Sequence, residues 1–225
     1  MVQDGPMTLE ITVRGSAERR YAAERGVVSL AAAIEGSDKA KVFADAVAIQ
    51  EPLVSQLREL VELHAVSTWS SDQARVFSHR PWDEHGKRQA MVHIARVQVE
   101  AEFVEFERLS GFLDYWSGTE GIEVCGITWD VTIKNRRTYE AEIRKSAVED
   151  AVSKAQIYAN AVRRGKVVAH QLSDPGMLSG PPAEGPAPMA YKAMAMDSMA
   201  GGPVLDLTPD EIVIHVEVDA RFSAE

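Results

Sequence analysis

Apolar and polar residues alternate along some stretches of the chain and recur at helical spacing in others, and the two periods together lay out an order of elements. Over residues 8–14, Leu9, Ile11 and Val13 fall on one face and Glu10, Thr12 and Arg14 on the other, as in a half-buried strand. Val28, Leu30, Ala32 and Ile34 repeat the pattern after a polar stretch around residues 18–26, and the two runs are expected to pair as a hairpin with a long connection. Gly36-Ser37-Asp38 then stops the strand and supplies a helix N-cap. Behind it Phe43, Val47, Val54, Leu57, Leu60 and Val61 recur at helical spacing, which predicts a helix over residues 38–63. Pro52 lies inside it and removes one backbone bond while crowding the preceding turn, so a kink or break is expected near Gln50.

Two strands are expected over residues 67–80 and 89–103, joined by the polar turn Pro81-Trp82-Asp83-Glu84-His85-Gly86-Lys87. In the second, Ala95, Val97, Val99, Ala101 and Phe103 face one way and Arg96, Gln98, Glu100 and Glu102 the other. One covered face and one wet face imply an antiparallel sheet backed by helices. Residues 105–116 read as a short helix with Phe106, Leu109, Leu113 and Trp116 on one stripe, ended by Gly118 and Gly121. Cys125, Ile127, Trp129, Val131 and Ile133 alternate with polar or small residues, which places Cys125 at a core-facing strand position. The longest helix follows. Tyr139, Ile143, Ala147, Ala151, Ala155 and Ala159 mark a stripe at spacing four, joined by Val148, Val152 and Val162, and small residues there let the backbone lie close to a sheet or another helix.

Residues 167–172 form another strand. Residues 175–203 hold six of the ten prolines, five of the fifteen glycines and five of the eight methionines, a composition opposed to regular structure and read as a loop or arm. In the closing strand Ile212, Ile214, Val216, Val218, Ala220 and Phe222 point one way and Val213, His215, Glu217, Asp219 and Arg221 the other. The whole reads as one α+β domain over residues 1–225, a mainly antiparallel sheet packed against a long helix and two further helices.

A family resemblance rests on particular residues: Ile11-Thr12-Val13-Arg14-Gly15 at the start, Val124-Cys125-Gly126-Ile127-Thr128-Trp129 before the long helix, and Ala147-Val148-Glu149-Asp150-Ala151 with Lys154-Ala155 inside it. Gly165-Lys166-Val167-Val168, Pro186-Ala187-Pro188-Met189 and the alternating last strand follow. In this order and spacing the chain, from about Leu9 to Phe222, resembles the SIMPL-domain family. The resemblance implies an α+β fold, self-association into rings or higher assemblies, and no established catalytic residue. Bacterial members are often exported and linked to stress protection. Pro52 departs from the family's continuous first helix.

Charge and cysteine content narrow the class. Lys and Arg number 24 against 34 Asp and Glu, a net charge of −10 that repels polyanions, so nucleic acid is not expected as a partner. The pairs Arg19-Arg20, Arg136-Arg137 and Arg163-Arg164 lie near acids and read as solvated turns. The single cysteine, Cys125, excludes an intrachain disulfide and a multi-cysteine metal site. The first 25 residues contain no apolar run of the length a signal peptide needs, no membrane span is expected, and the chain is read as cytoplasmic.

Candidate chemistry is sparse. His79, Asp83, Glu84 and His85 place four potential metal ligands within seven residues, but the bland alternative is an exposed hairpin tip. His93, His170 and His215 each fall in an expected strand and would meet if those strands were neighbours. A core-facing Cys125 lacks the accessible, electropositive setting of a nucleophile. Phosphate loops, nucleophile elbows, H-E-x-x-H and dinucleotide fingerprints do not occur. Met189, Met194, Met196 and Met199 could seat the arm on a neighbouring subunit. The reading is a homo-oligomeric interaction or scaffold protein that meets protein partners, with no catalytic, cofactor or metal residue assigned. Its rivals are a small-ligand or metal-binding protein, or a hydrolase, using a pocket between helices and sheet or the His79/His85 turn, and, implied by the family resemblance alone, a regulatory partner of a kinase or other signalling protein.

Overall fold

The computed structural model describes residues 8–82, 84–178 and 207–225. Asp83 and residues 179–206, with Met189, Met194, Met196 and Met199 among them, lie outside the described residues. In chain order the elements are β1 (Leu9–Tyr21), β2 (Arg25–Gly36), α1 (Lys39–Glu62), β3 (Val66–Ser71), β4 (Arg75–His79), β5 (Val92–Phe103), α2 (Phe106–Ser117), β6 (Ile122–Asp130), α3 (Ile133–Ala161), β7 (Val167–Ser173) and β8 (Ile212–Ala224). The fold is α+β, with three helices and two antiparallel sheets among the described residues. Contacts divide these elements into two compact units, β1, α3, β7 and β8 in one and the elements from β2 to β6 in the other.

In the first unit the strand order is β1-β8-β7. The expected pairing of β1 with β2 does not form: β1 pairs with β8 along its full length, from Leu9 opposite Ala224 to Tyr21 opposite Ile212. Alternation reports which face of a strand is apolar and is silent on the partner. Ile11 and Val13 share a core with Val218, Ala220 and Phe222, whereas Val28, Leu30 and Ala32 belong to another. The alanine stripe behaves as its spacing predicts. Ile143, Ala147, Ala151, Ala155 and Ala159 are fully buried, packing α3 onto β1 and β8.

The contact is closest at Gly15, where an added Cβ would collide with the Ala147 carbonyl oxygen and stand 2.7 Å from the Ala151 Cβ. A buried methyl contributes only about 0.8 kcal/mol through area, so the stripe acts chiefly by permitting dense helix–strand packing.

The second unit has the order β3-β5-β2-β6, with β4 also on β5. The strand expected over residues 67–80 is therefore two, β3 and β4, interrupted where the chain turns at Asp72 and both paired to β5. The inward face of β5 is buried as read, from Ala95 through Phe103. Leu109, Phe112, Leu113 and Trp116 bring α2 onto this core, with the Phe103 and Phe112 ring centroids 5.1 Å apart.

Helix α1 starts as expected at Asp38, whose carboxylate accepts from the Ala40 and Lys41 amides, and those bonds hold its pKa below the usual carboxylate range. The expected break at Pro52 is absent: one helix runs through it. Pro52 and Ala48, whose carbonyl loses its partner, are both exposed, so water can satisfy that carbonyl. Val42 and Ala46 before the proline and Leu53, Leu57 and Leu60 after it are buried, holding both halves. Leu57 and Leu60 are buried as read, whereas in the first half of the helix the buried positions are Val42 and Ala46, and Phe43 and Val47 remain 45% and 39% exposed.

Cys125 also departs from expectation. The β2–β6 register shifts between Ser29 and Leu30, whose partners are Gly126 and Val124, leaving Cys125 as the extra residue of a bulge. Gly126 there has φ 150°, a conformation L side chains rarely adopt. Val124, Ile127 and Trp129 keep the core face, while the Cys125 sulfur turns outward and receives a hydrogen bond from Arg96 at 3.3 Å.

Replacing Gly15 with alanine is expected to destabilise the protein by about 1–3 kcal/mol, since the intruding carbon meets helix backbone. Gly111 lies inside α2 with open space around its added Cβ, so Gly111→Ala is expected to be neutral or to stabilise by up to about 1 kcal/mol. Urea unfolding of the two variants beside the parent checks both signs.

Candidate functional site

Strand β1 lies at the edge of its sheet, and among the described residues no strand pairs with its outer side. An open edge invites pairing with another chain. Helix α3 covers its middle. The Asp150 carboxylate accepts the Ser16 amide at 2.8 Å, and the Lys154 ammonium donates to the Arg14 carbonyl at 3.1 Å. Asp150 and Lys154 stand one turn apart on α3 and pair with each other at 2.6 Å. The hydrogen bond from Lys154, then that from the Ser16 amide, holds the Asp150 carboxyl below the usual carboxylate range against the effect of burial. Gly15 permits this arrangement, because only with α3 at this distance do the two side chains reach the strand backbone.

On the sheet face turned away from α3, β1 and β8 carry a ladder of charge. Arg14 donates through Nε to Asp219 at 2.7 Å and through Nη1 to Glu217 at 3.3 Å. Asp219 is the only buried charged residue among those described, at 7% exposure, and also accepts the Gly176 amide at 2.7 Å. Its carboxyl is held below the usual range, first by the Arg14 hydrogen bond, with burial opposing, and the same bond raises Arg14 above its ordinary value. His215 faces Glu217 at 3.6 Å, and Arg221 faces Glu10 at 3.3 Å. Arg14 with Asp219 and Glu217, and Arg221 with Glu10, neutralise one another across the strand pair.

The second unit has its own clasp. Arg25 donates to Glu102 at 2.5 Å and to Asp130 at 2.7 Å, while the Ser67 hydroxyl donates to Glu102 at 2.7 Å. Asp130 also accepts the Val131 amide at 2.8 Å. Four strand segments meet there. The hydrogen bond to Asp130 raises the Arg25 pKa, with burial opposing.

The residues that carried the resemblance thus have physical work: Gly15 sets the approach, the alanines accept it, Asp150 and Lys154 cover the edge, and Gly126 makes the bulge. The SIMPL family model, described as a protein of unknown function (DUF541), matches residues 11–222. The chain belongs to the SIMPL family. No curated protein matches it.

The other candidates in this SIMPL chain separate. His79 ends β4 in an exposed position, and the turn beyond it is closed by a bridge between Trp82 and Arg88, with the Arg88 guanidinium 5.0 Å above the Trp82 ring. His93 is 2.7 Å from the Ser78 hydroxyl in the second unit. In the first unit His170 is 2.5 Å from the Ser223 hydroxyl, and His215 lies eight residues from Ser223 along β8, about 27 Å in an extended strand. The three histidines therefore form no joint site. Among the described residues, no group of three or more His, Cys, Asp or Glu is placed to hold a metal ion, and no helix is long and apolar enough to cross a membrane.

Sequence reading missed the Arg14–Asp219 pair, the Arg25 clasp and the edge cover. Their only local signal was a charged residue on a wet strand face or beside a helical stripe.

Asp150 and Asp219 have folded-state pKa values below their unfolded ones, so their contribution is complete above the unfolded value, about 4, and is lost as pH falls through the lower folded value. Asp219→Asn should therefore flatten the fall in stability below about pH 4. Urea midpoints measured against pH check this, and a slope equal to the parent's contradicts it.

Proposed function

We propose that this SIMPL protein is a homo-oligomeric interaction module, a scaffold acting through contact, and that the last turns of α3 are the assembling surface. The observation that carries the reading is the exposure of Ile157 at 62%, Tyr158 at 59% and the C-cap residue Val162 at 56%, the last of which was expected on the alanine stripe but does not share its burial. Fully burying side chains of this size contributes about 1.5–3 kcal/mol each, and Tyr158 and Val162, one helical turn apart, offer a partner two such side chains side by side. The covered edge of β1 supports the same reading, since Asp150 and Lys154 obstruct strand addition at Arg14 and Ser16 and leave the helix surface as the available contact.

Light scattering on the eluting full chain tests the assignment. The parent is expected at a multiple of 24.7 kDa, and Ile157→Glu/Tyr158→Glu is expected near the single-chain mass with an unchanged circular-dichroism spectrum. A parent that elutes as a monomer at micromolar concentration contradicts it.

A further inference from the structure

The apolar positions of α1 that the core does not use line a groove. Val47 and Val54 on the helix and Trp69 on β3 form its apolar lining, in a cavity of about 470 Å³ within the second unit. Gln50 closes part of it by donating to the Ser71 hydroxyl at 2.5 Å. The groove runs beside the outer edge of β3, which among the described residues pairs with no strand.

That edge is open in a defined way. The Asp72 amide donates to the Gln98 carbonyl, so the alternate residues Ser70 and Thr68 also turn their backbone groups toward β5. Trp69 and Ser71 consequently present N–H and C=O outward. A helix flanking an open strand edge provides what an extended peptide needs: a ladder for its backbone and an apolar trough for alternate side chains.

The charge pattern selects the occupant. The Arg58 guanidinium lies 5.9 Å from the centroid of the Trp69 ring. Among the described residues it has no carboxylate partner, so its N–H edges can accept one in a forked pair. Glu51, two turns earlier on α1, repels a carboxylate at the other end of the groove and so sets the register.

We infer that the α1–β3 groove binds an extended segment of a partner protein, added as a strand to β3, with apolar residues at alternate positions and an acidic side chain paired to Arg58. The groove belongs to the second unit, whereas the last turns of α3 belong to the first.

A phage-displayed library of random peptides panned on the full chain tests the inference. Enriched peptides should alternate apolar residues and carry an Asp or Glu, and synthetic copies should bind Arg58→Glu about tenfold more weakly, the loss of one charge-assisted pair. Ser71→Pro removes an outward N–H while sparing the bonds to β5, and should abolish binding. Arg58 is exposed, so its variant keeps the test decisive if Ser71→Pro does not fold. No enrichment, equal binding to parent and Arg58→Glu, or peptides that bind only through a free C-terminal carboxylate would overturn the inference.

Discussion

The first unit depends on one steric condition: a position on β1 without a side chain beyond hydrogen, opposite a helix face with nothing larger than a methyl. Gly15 meets Ala147 and Ala151 there. Helix α3 is 29 residues long, yet its middle is bound to the sheet by alanines. Close packing replaces large apolar area, and the consequence is geometric as much as energetic. With the helix axis this near, the Asp150 carboxylate and the Lys154 ammonium reach backbone groups of an edge strand that would otherwise stay open to any extended chain.

Local periodicity was legible because it depends on neighbours in sequence. The alternation of β1, β5 and β8 and the alanine stripe of α3 were readable, and each faces the core as its pattern says. The helix start at Asp38 was readable for the same reason, since an N-cap and the amides it holds lie within three residues. Where the reading of α1 slipped, Phe43 and Val47 were as apolar as their buried neighbours Val42 and Ala46. A helix with apolar residues on two adjoining flanks has no unique inward face until the sheet is present.

Long-range pairing was not legible. The partner of Leu9 is Ala224, at the other end of the chain, and alternation alone could not choose it over β2. Bulges were equally hidden: one extra residue turned Cys125 from the core to the Arg96 side of β6, and another lies between Ala169 and Gln171, at His170. The candidate site suffered most, since Arg14 with Asp219 and Arg25 with Asp130 are pairs separated by 205 and 105 residues. Metal and nucleophile readings built on composition within a turn or strand had no access to such partners.

The Ser16 amide tests the seam most directly, because it belongs to an edge strand and yet is held by a helix side chain. Native-state hydrogen exchange followed residue by residue is expected to show this amide protected together with the buried turns of α3, and exchanging faster in Asp150→Ala. If Ser16 exchanges in the parent as fast as an amide open to water, α3 does not cover the edge and the account of the Gly15 contact is wrong.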